Sequence, residues 1–216
     1  MGKLIVWNIM SLDGCFEGDE KWDLELHEHI WGEDLRRLSL QFGEEARLLV
    51  FGRVTYEGMA SYWPTAGEPA DGTSDPVAGE EPGSASGEEQ GTGEDSAIVR
   101  YMNAIPKLVA SRTLTEAAWN NTEVTADIIG ELGRRKQLDE KPIYVFGSAV
   151  LTDSLLKAGL VDELLVGVAP VILGSGTPLF KPASSLRPLE LINARTLDSG
   201  GVLLRYTVPR NSIEEA

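Results

Sequence analysis

Ile143-Tyr-Val-Phe146-Gly147-Ser148-Ala149-Val-Leu151-Thr-Asp-Ser-Leu155-Leu156-Lys-Ala-Gly159 leads into Leu160-Val-Asp162-Glu163-Leu-Leu-Val-Gly-Val168-Ala-Pro170-Val-Ile-Leu-Gly174-Ser-Gly176-Thr-Pro-Leu-Phe180. Ile143 to Phe146 is a short apolar run bounded by turn residues, the pattern of a strand buried on both faces. Leu151, Leu155 and Leu156 then recur at helical spacing, and Gly159 suits a helix C-terminus. Glu163 to Val168 reads as the next strand. Strand, helix and strand within about thirty residues predict a βαβ unit, a parallel pair with a right-handed crossover.

The chemistry of such a unit lies at its first turn. Gly147 would let another molecule approach the backbone, and the helix behind it offers unpaired N–H groups and a positive dipole end. Gly147-Ser148 therefore suits a phosphate, or merely turns the chain. Two further strand ends bear on the choice. Arg47 to Phe51 is a buried strand that ends in Gly52-Arg53-Val54-Thr55, with an arginine in the first turn of the next helix. A basic residue there opposes the dipole unless an anion is present or the side chain points into water. Pro106 to Ala110 is another strand, closed by Ser111-Arg112-Thr113.

The chain has 216 residues, 42% of them hydrophobic, enough for one large domain or two small ones. A net charge of −15 disfavours nucleic acid and anionic membranes as partners. The single cysteine, Cys15, cannot form an internal disulfide, and the amino terminus enters a strand-like stretch directly, so a cytoplasmic chain is expected. His27 and His29 do not share a helical face and have no cysteine cluster beside them, so no metal site is expected. Residues 66–97 carry nine acids, no base, seven glycines and no aromatic residue. That composition predicts a disordered acidic insertion holding more than half of the net negative charge.

Leu4 to Met10 reads as a central strand ended by Ser11-Leu12-Asp13-Gly14, where Asp13 is either a functional carboxylate or half of an ordinary turn. Residues 17–32 read as a loop lying over something, with Trp22 and Trp31 in it. Glu33 to Phe42 and Ile98 to Asn103 read as helices, Glu123-Val124 as a short strand, and Thr125 as the N-cap of a helix through Leu132. Leu189–Leu197 and Val202–Val208 predict a terminal hairpin, and residues 209–216 a polar tail. Ligands of open α/β sheets bind outside the carboxyl ends of the strands. One extended polyphosphate ligand could touch Arg53 with Thr55, Ser111 with Arg112, and Gly147 with Ser148. A dinucleotide fits. Arg112 beside Ser111 would suit a 2′-phosphate, although no Gly-x-Gly-x-x-Gly run is present.

Ser11-Leu-Asp-Gly14, Gly52-Arg-Val-Thr-Tyr-Glu57, Ser111-Arg-Thr113, Val145-Phe-Gly-Ser148, Ala158-Gly-Leu-Val-Asp-Glu-Leu164 and Ala169-Pro-Val-Ile-Leu-Gly174 together resemble the reductase domain of the bifunctional riboflavin-biosynthesis deaminase–reductase. The chain resembles more closely the stand-alone dihydrofolate-reductase-like proteins that carry this domain alone, over about residues 1–65 and 98–208. The resemblance implies a single α/β domain over 1–208. It would be three-layered and dihydrofolate-reductase-like, with a mostly parallel sheet, helices on both faces and an antiparallel carboxyl-terminal hairpin. It implies NADPH held by Gly52, Arg53, Thr55, Ser111, Arg112, Gly147, Ser148, Ala149 and Leu151, and a homodimer. It implies hydride transfer to a C=N or carbonyl carbon of a small heterocyclic or sugar-derived substrate, a ribosylaminouracil phosphate in the family with an assigned pathway. The zinc-binding deaminase half has no counterpart here. Asp13, or Asp34 on the next helix, would supply or organise the proton. Dihydrofolate reduction and non-catalytic NADPH binding by a dimeric protein are the alternatives.

Overall fold

The computed structural model describes residues 1–66, 93–182 and 186–209. Most of the acidic insertion and the tail beyond Pro209 lie outside the described residues. Leu4–Met10 forms β1, Cys15–Glu17 β2, Leu48–Gly52 β3, Lys107–Ala110 β4 and Thr122–Thr125 β5. Ile143–Phe146 forms β6, Glu163–Val168 β7, Thr177–Pro178 β8, Glu190–Thr196 β9 and Val202–Thr207 β10. The helices are α1 (Glu33–Glu45), α2 (Arg53–Tyr62), α3 (Gly93–Ala104), α4 (Ile128–Lys136) and α5 (Ala149–Lys157), with a 3-10 turn at Glu25–His27.

One eight-stranded sheet runs β5-β4-β3-β6-β1-β7-β10-β9. The six strands from β5 to β7 are parallel, and β10 and β9 are antiparallel additions at one side. β6 and β7 are parallel as the opening stretch predicts, but they do not pair with each other: β1 lies between them, so α5 crosses over it. Alternation along the strands divides the core in two. Ile5, Leu49, Phe51, Tyr144 and Phe146 face α1, α2 and α3 through Leu35, Phe42, Tyr56, Ile98 and Met102. Leu4, Val6, Val50, Val145 and Val166 face α4 and α5 through Leu132, Leu151 and Leu155. Strands covered on both faces need apolar side chains at successive positions, which is why these read as continuous runs rather than alternating ones.

Local sequence sets several helix ends. Asp127, not Thr125, caps α4, its carboxylate accepting the Gly130 N–H at 3.0 Å, while Thr125 accepts the Asp127 N–H at 3.1 Å. Gly159 follows α5 with φ +65°, the left-handed conformation that ends a helix cheaply only in glycine. α3 begins at Gly93, so residues 93–97 belong to a helix rather than to the insertion. Among the described residues no helix is long and apolar enough to cross a membrane.

Candidate active site

β4, β3 and β6 are neighbours, and their carboxyl ends stand in register: Gly52 pairs with Ala110, and Phe51 with both Val109 and Phe146. The three strand ends singled out in the sequence therefore share one rim. Two of them touch. A Cβ on Gly52 would lie 2.8 Å from Ser148 Oγ, and one on Gly147 would lie 3.0 Å from Thr55 Cγ2. Gly147 also has φ +66°, and Ser148 follows it with φ +66° although it carries a side chain. Successive positive φ values at the mouth of a helix mark a backbone shaped for something other than chain reversal alone. Ser148 Oγ accepts the Leu151 N–H at 3.3 Å, while Gly52 gives α2 no side-chain cap. Two helix N-termini thus face the same corner of the rim.

Beside that corner, at the end of β1, opens a cleft of about 340 Å³, within the range of small-molecule sites. Trp7, Phe16, Trp22 and Phe146 line it with aromatic rings, together with Asn8, Thr55, Gly147, Ser148 and Ala149. The loop after β2 closes one side. Glu17 accepts the Trp22 N–H at 3.3 Å, and the Trp22 indole lies on α2 where a Cβ at Gly58 would come within 2.4 Å of it. Glu17, Lys21, His27 and Lys181 are the ionisable side chains that line the cleft among the described residues. Burial lowers the His27 pKa to about 4, so its ring is neutral at pH 7.

The other sequence expectations are redistributed. Asp13 does not line the cleft. Its carboxylate accepts the Ser11 hydroxyl at 2.6 Å and the Gly174 and Leu173 N–H groups at 2.8 and 3.1 Å. Those bonds, the serine's first, hold its pKa near about 2. Ionised at neutral pH, Asp13 clamps the turn after β1 to the loop at 171–176. Asp34 does not line the cleft either. It accepts the Asp198 N–H at 2.9 Å, while Asp198 accepts the Glu33 and Asp34 N–H groups, a reciprocal cap tying α1 to the β9–β10 turn.

Arg53 forms an ion pair with Glu57 one turn along α2, with both side chains exposed. Leu151 is a core side chain whose N–H is already capped by Ser148. Ser111 accepts the Thr113 and Leu114 N–H groups in a turn beyond β4, and Arg112 is exposed there, on the rim but outside the cleft. The cleft side chains Asn8, Phe16, Glu17 and His27 were not singled out by sequence. One signal was present: Asn8 interrupts an otherwise apolar central strand.

A mostly parallel sheet covered on both faces, an antiparallel carboxyl-terminal pair and a ligand-sized cleft at the strands' carboxyl ends define a dihydrofolate-reductase-like α/β protein. Residues 2–203 match the model of the RibD C-terminal domain, and the chain belongs to that family. The uncharacterized protein YyaP of Bacillus subtilis (strain 168) is 35% identical over 107 residues, which is 50% of this chain and 57% of YyaP. A candidate riboflavin biosynthesis protein from Shewanella sp. PV-4 has a similar structure, with TM-score 0.65 and 21% identity, covering 96% of this chain and 99% of that one. Dihydrofolate reductase from Enterococcus faecalis, complexed with NADP(H), shares the fold with TM-score 0.55 and 14% identity, covering 95% and 96%.

Proposed function

We propose that the protein is an NADPH-dependent reductase of the riboflavin-pathway type, acting on a C=N or carbonyl carbon of a small heterocyclic or sugar-derived substrate. The observation that carries this reading is the alignment of the β4, β3 and β6 ends on one rim beside an aromatic cleft. Membership of the RibD C-terminal domain family supports a reductase of this kind.

The residues present fit a dinucleotide. Gly52 and Gly147 keep the corner free of Cβ atoms, and the first N–H groups of α2 and α5 suit a pyrophosphate. The exposed Arg112 suits a 2′-phosphate. NADPH, when bound, supplies the hydride. Trp7, Phe16, Trp22 and Phe146 sandwich a planar ring and exclude water from it. Glu17, held by the Trp22 N–H, orders a water that delivers the proton to the substrate heteroatom. Neutral His27 offers a ring N–H without adding charge. The protein works in the cytoplasm as a homodimer joined along β9, whose residues are all exposed.

Loss of NADPH absorbance tests the proposal, with 5-amino-6-(5-phosphoribosylamino)uracil and dihydrofolate offered separately. Turnover of the uracil substrate with little or none of dihydrofolate is expected. Turnover of dihydrofolate alone, or of neither, would overturn it.

A further inference from the structure

Asn8 lies in the middle of β1, on the face it shares with Leu4 and Val6, and is 5% exposed. Among the described residues the buried polar side chains Ser11, Lys107, Lys136 and Glu163 are all hydrogen-bonded. Thr152 has a buried hydroxyl without a partner; Asn8 and Thr55 make no side-chain hydrogen bond within the protein and line the cleft, to which their polar atoms stay accessible. β6 stops pairing with β1 at Trp7, whose carbonyl accepts the Gly147 N–H at 3.2 Å. Asn8 is thus the first residue of β1 beyond the end of β6, where the sheet gives way to the cleft. A carboxamide carries two donor hydrogens and an acceptor oxygen, and here all of them are left for whatever occupies the cleft. Nothing about the packing of a central strand asks for an amide at this position.

We propose that the Asn8 carboxamide is a ligand-reading group. It pairs, donor to acceptor and acceptor to donor, with an amide on the planar ring held between the aromatic walls. The assignment rests on the reading of the cleft given above. Two ligands carry that chemistry: the carboxamide of a nicotinamide, and the lactam edge of a uracil-like heterocycle. Thr55 lines the same cleft and likewise makes no side-chain hydrogen bond within the protein, so the cleft presents two polar points among apolar side chains. Such sparse polar groups are what fix a ligand's orientation.

The test is a set of titrations of wild type and Asn8→Leu, which keeps the branched shape and removes the side chain's hydrogen-bonding atoms. The probes are NADPH, adenosine 2′,5′-bisphosphate and 5,6-diaminouracil. Loss of two neutral hydrogen bonds predicts about tenfold weaker binding of NADPH if Asn8 reads the nicotinamide, or of the uracil if it reads the heterocycle. The bisphosphate, which has no carboxamide, should bind both proteins alike. Ligand-free Asn8→Leu should melt at or above the wild-type temperature, because the amide it loses makes no hydrogen bond within the protein. Equal binding of NADPH and the uracil to both proteins sinks the Asn8 assignment alone. A wild type that binds neither probe sinks the cleft reading with it. Should Asn8→Leu fail to fold, a wild type that binds the 3-acetylpyridine analogue of NADPH and N-methylated uracils as tightly as the parent compounds would also overturn the assignment.

Discussion

Asp13 is a carboxylate engaged in holding a wall in place. Its partners, Ser11, Leu173 and Gly174, join the turn after β1 to the loop that leads into β8, and β8 pairs with β2 beneath Phe16. Its folded pKa of about 2 lies below the ordinary 3.8, so its stabilisation is complete above about pH 4 and disappears as the pH falls toward 2. Asp13→Asn should lower the melting temperature by a few degrees at pH 7. It should also flatten the loss of stability between about pH 4 and pH 2 relative to wild type. Thermal melts across that range check it, and an unchanged pH profile would contradict the clamp. The sequence could present Asp13 only as a carboxylate beside a glycine. Ser11 is two residues away, but the backbone N–H partners Leu173 and Gly174 lie 160 residues or more along the chain, so its structural role was not readable from its neighbours. Asn8 differs: an amide inside an apolar strand is visible in the sequence, and its meaning follows once β6 is seen to stop one residue short of it.

The elements that were readable are those whose signal is local. β1, β3, β6 and β7 are continuous apolar runs because each is covered on both faces, and α1 shows its apolar stripe at Leu35, Leu38 and Phe42. β2 and β8 were not readable. They are three and two residues long and exist through each other, Cys15 pairing with Pro178. The insertion of β1 between β6 and β7 was hidden for a similar reason, since pairing order depends on where distant strands dock. β9 makes the opposite point. Its apolar residues predicted a strand, yet in one chain all seven are exposed, with Leu191 at 58% and Ile192 at 49%. An edge strand that exposes a leucine and an isoleucine is unfavourable for an isolated molecule. Light scattering after size exclusion should therefore give a dimer for wild type and a monomer for Leu191→Glu at micromolar concentration; a wild-type monomer would contradict pairing through β9.

Across the whole molecule, the rim and the cleft differ in how far sequence reasoning reached. The rim was legible because a glycine, hydroxyl or guanidinium directly after a strand is a local pattern, and parallel strands carry such patterns to the same side of a sheet. The structure keeps that placement while assigning Arg53 to Glu57 and Leu151 to the core. The cleft was not legible, because Trp7, Phe16, Trp22 and Phe146 come from four separate segments that meet only when the sheet is formed. Together they describe a molecule with an edge of glycines, hydroxyls and a guanidinium beside an aromatic cleft. Calorimetric titration with NADPH and NADH, on wild type and on Arg112→Ala, tests that description most directly. The account predicts saturable binding of NADPH at one site per chain, weaker binding of NADH, and an Arg112→Ala protein that no longer prefers NADPH by about tenfold or more; no heat of binding with NADPH, or equal affinities of the wild type for both coenzymes, would contradict it.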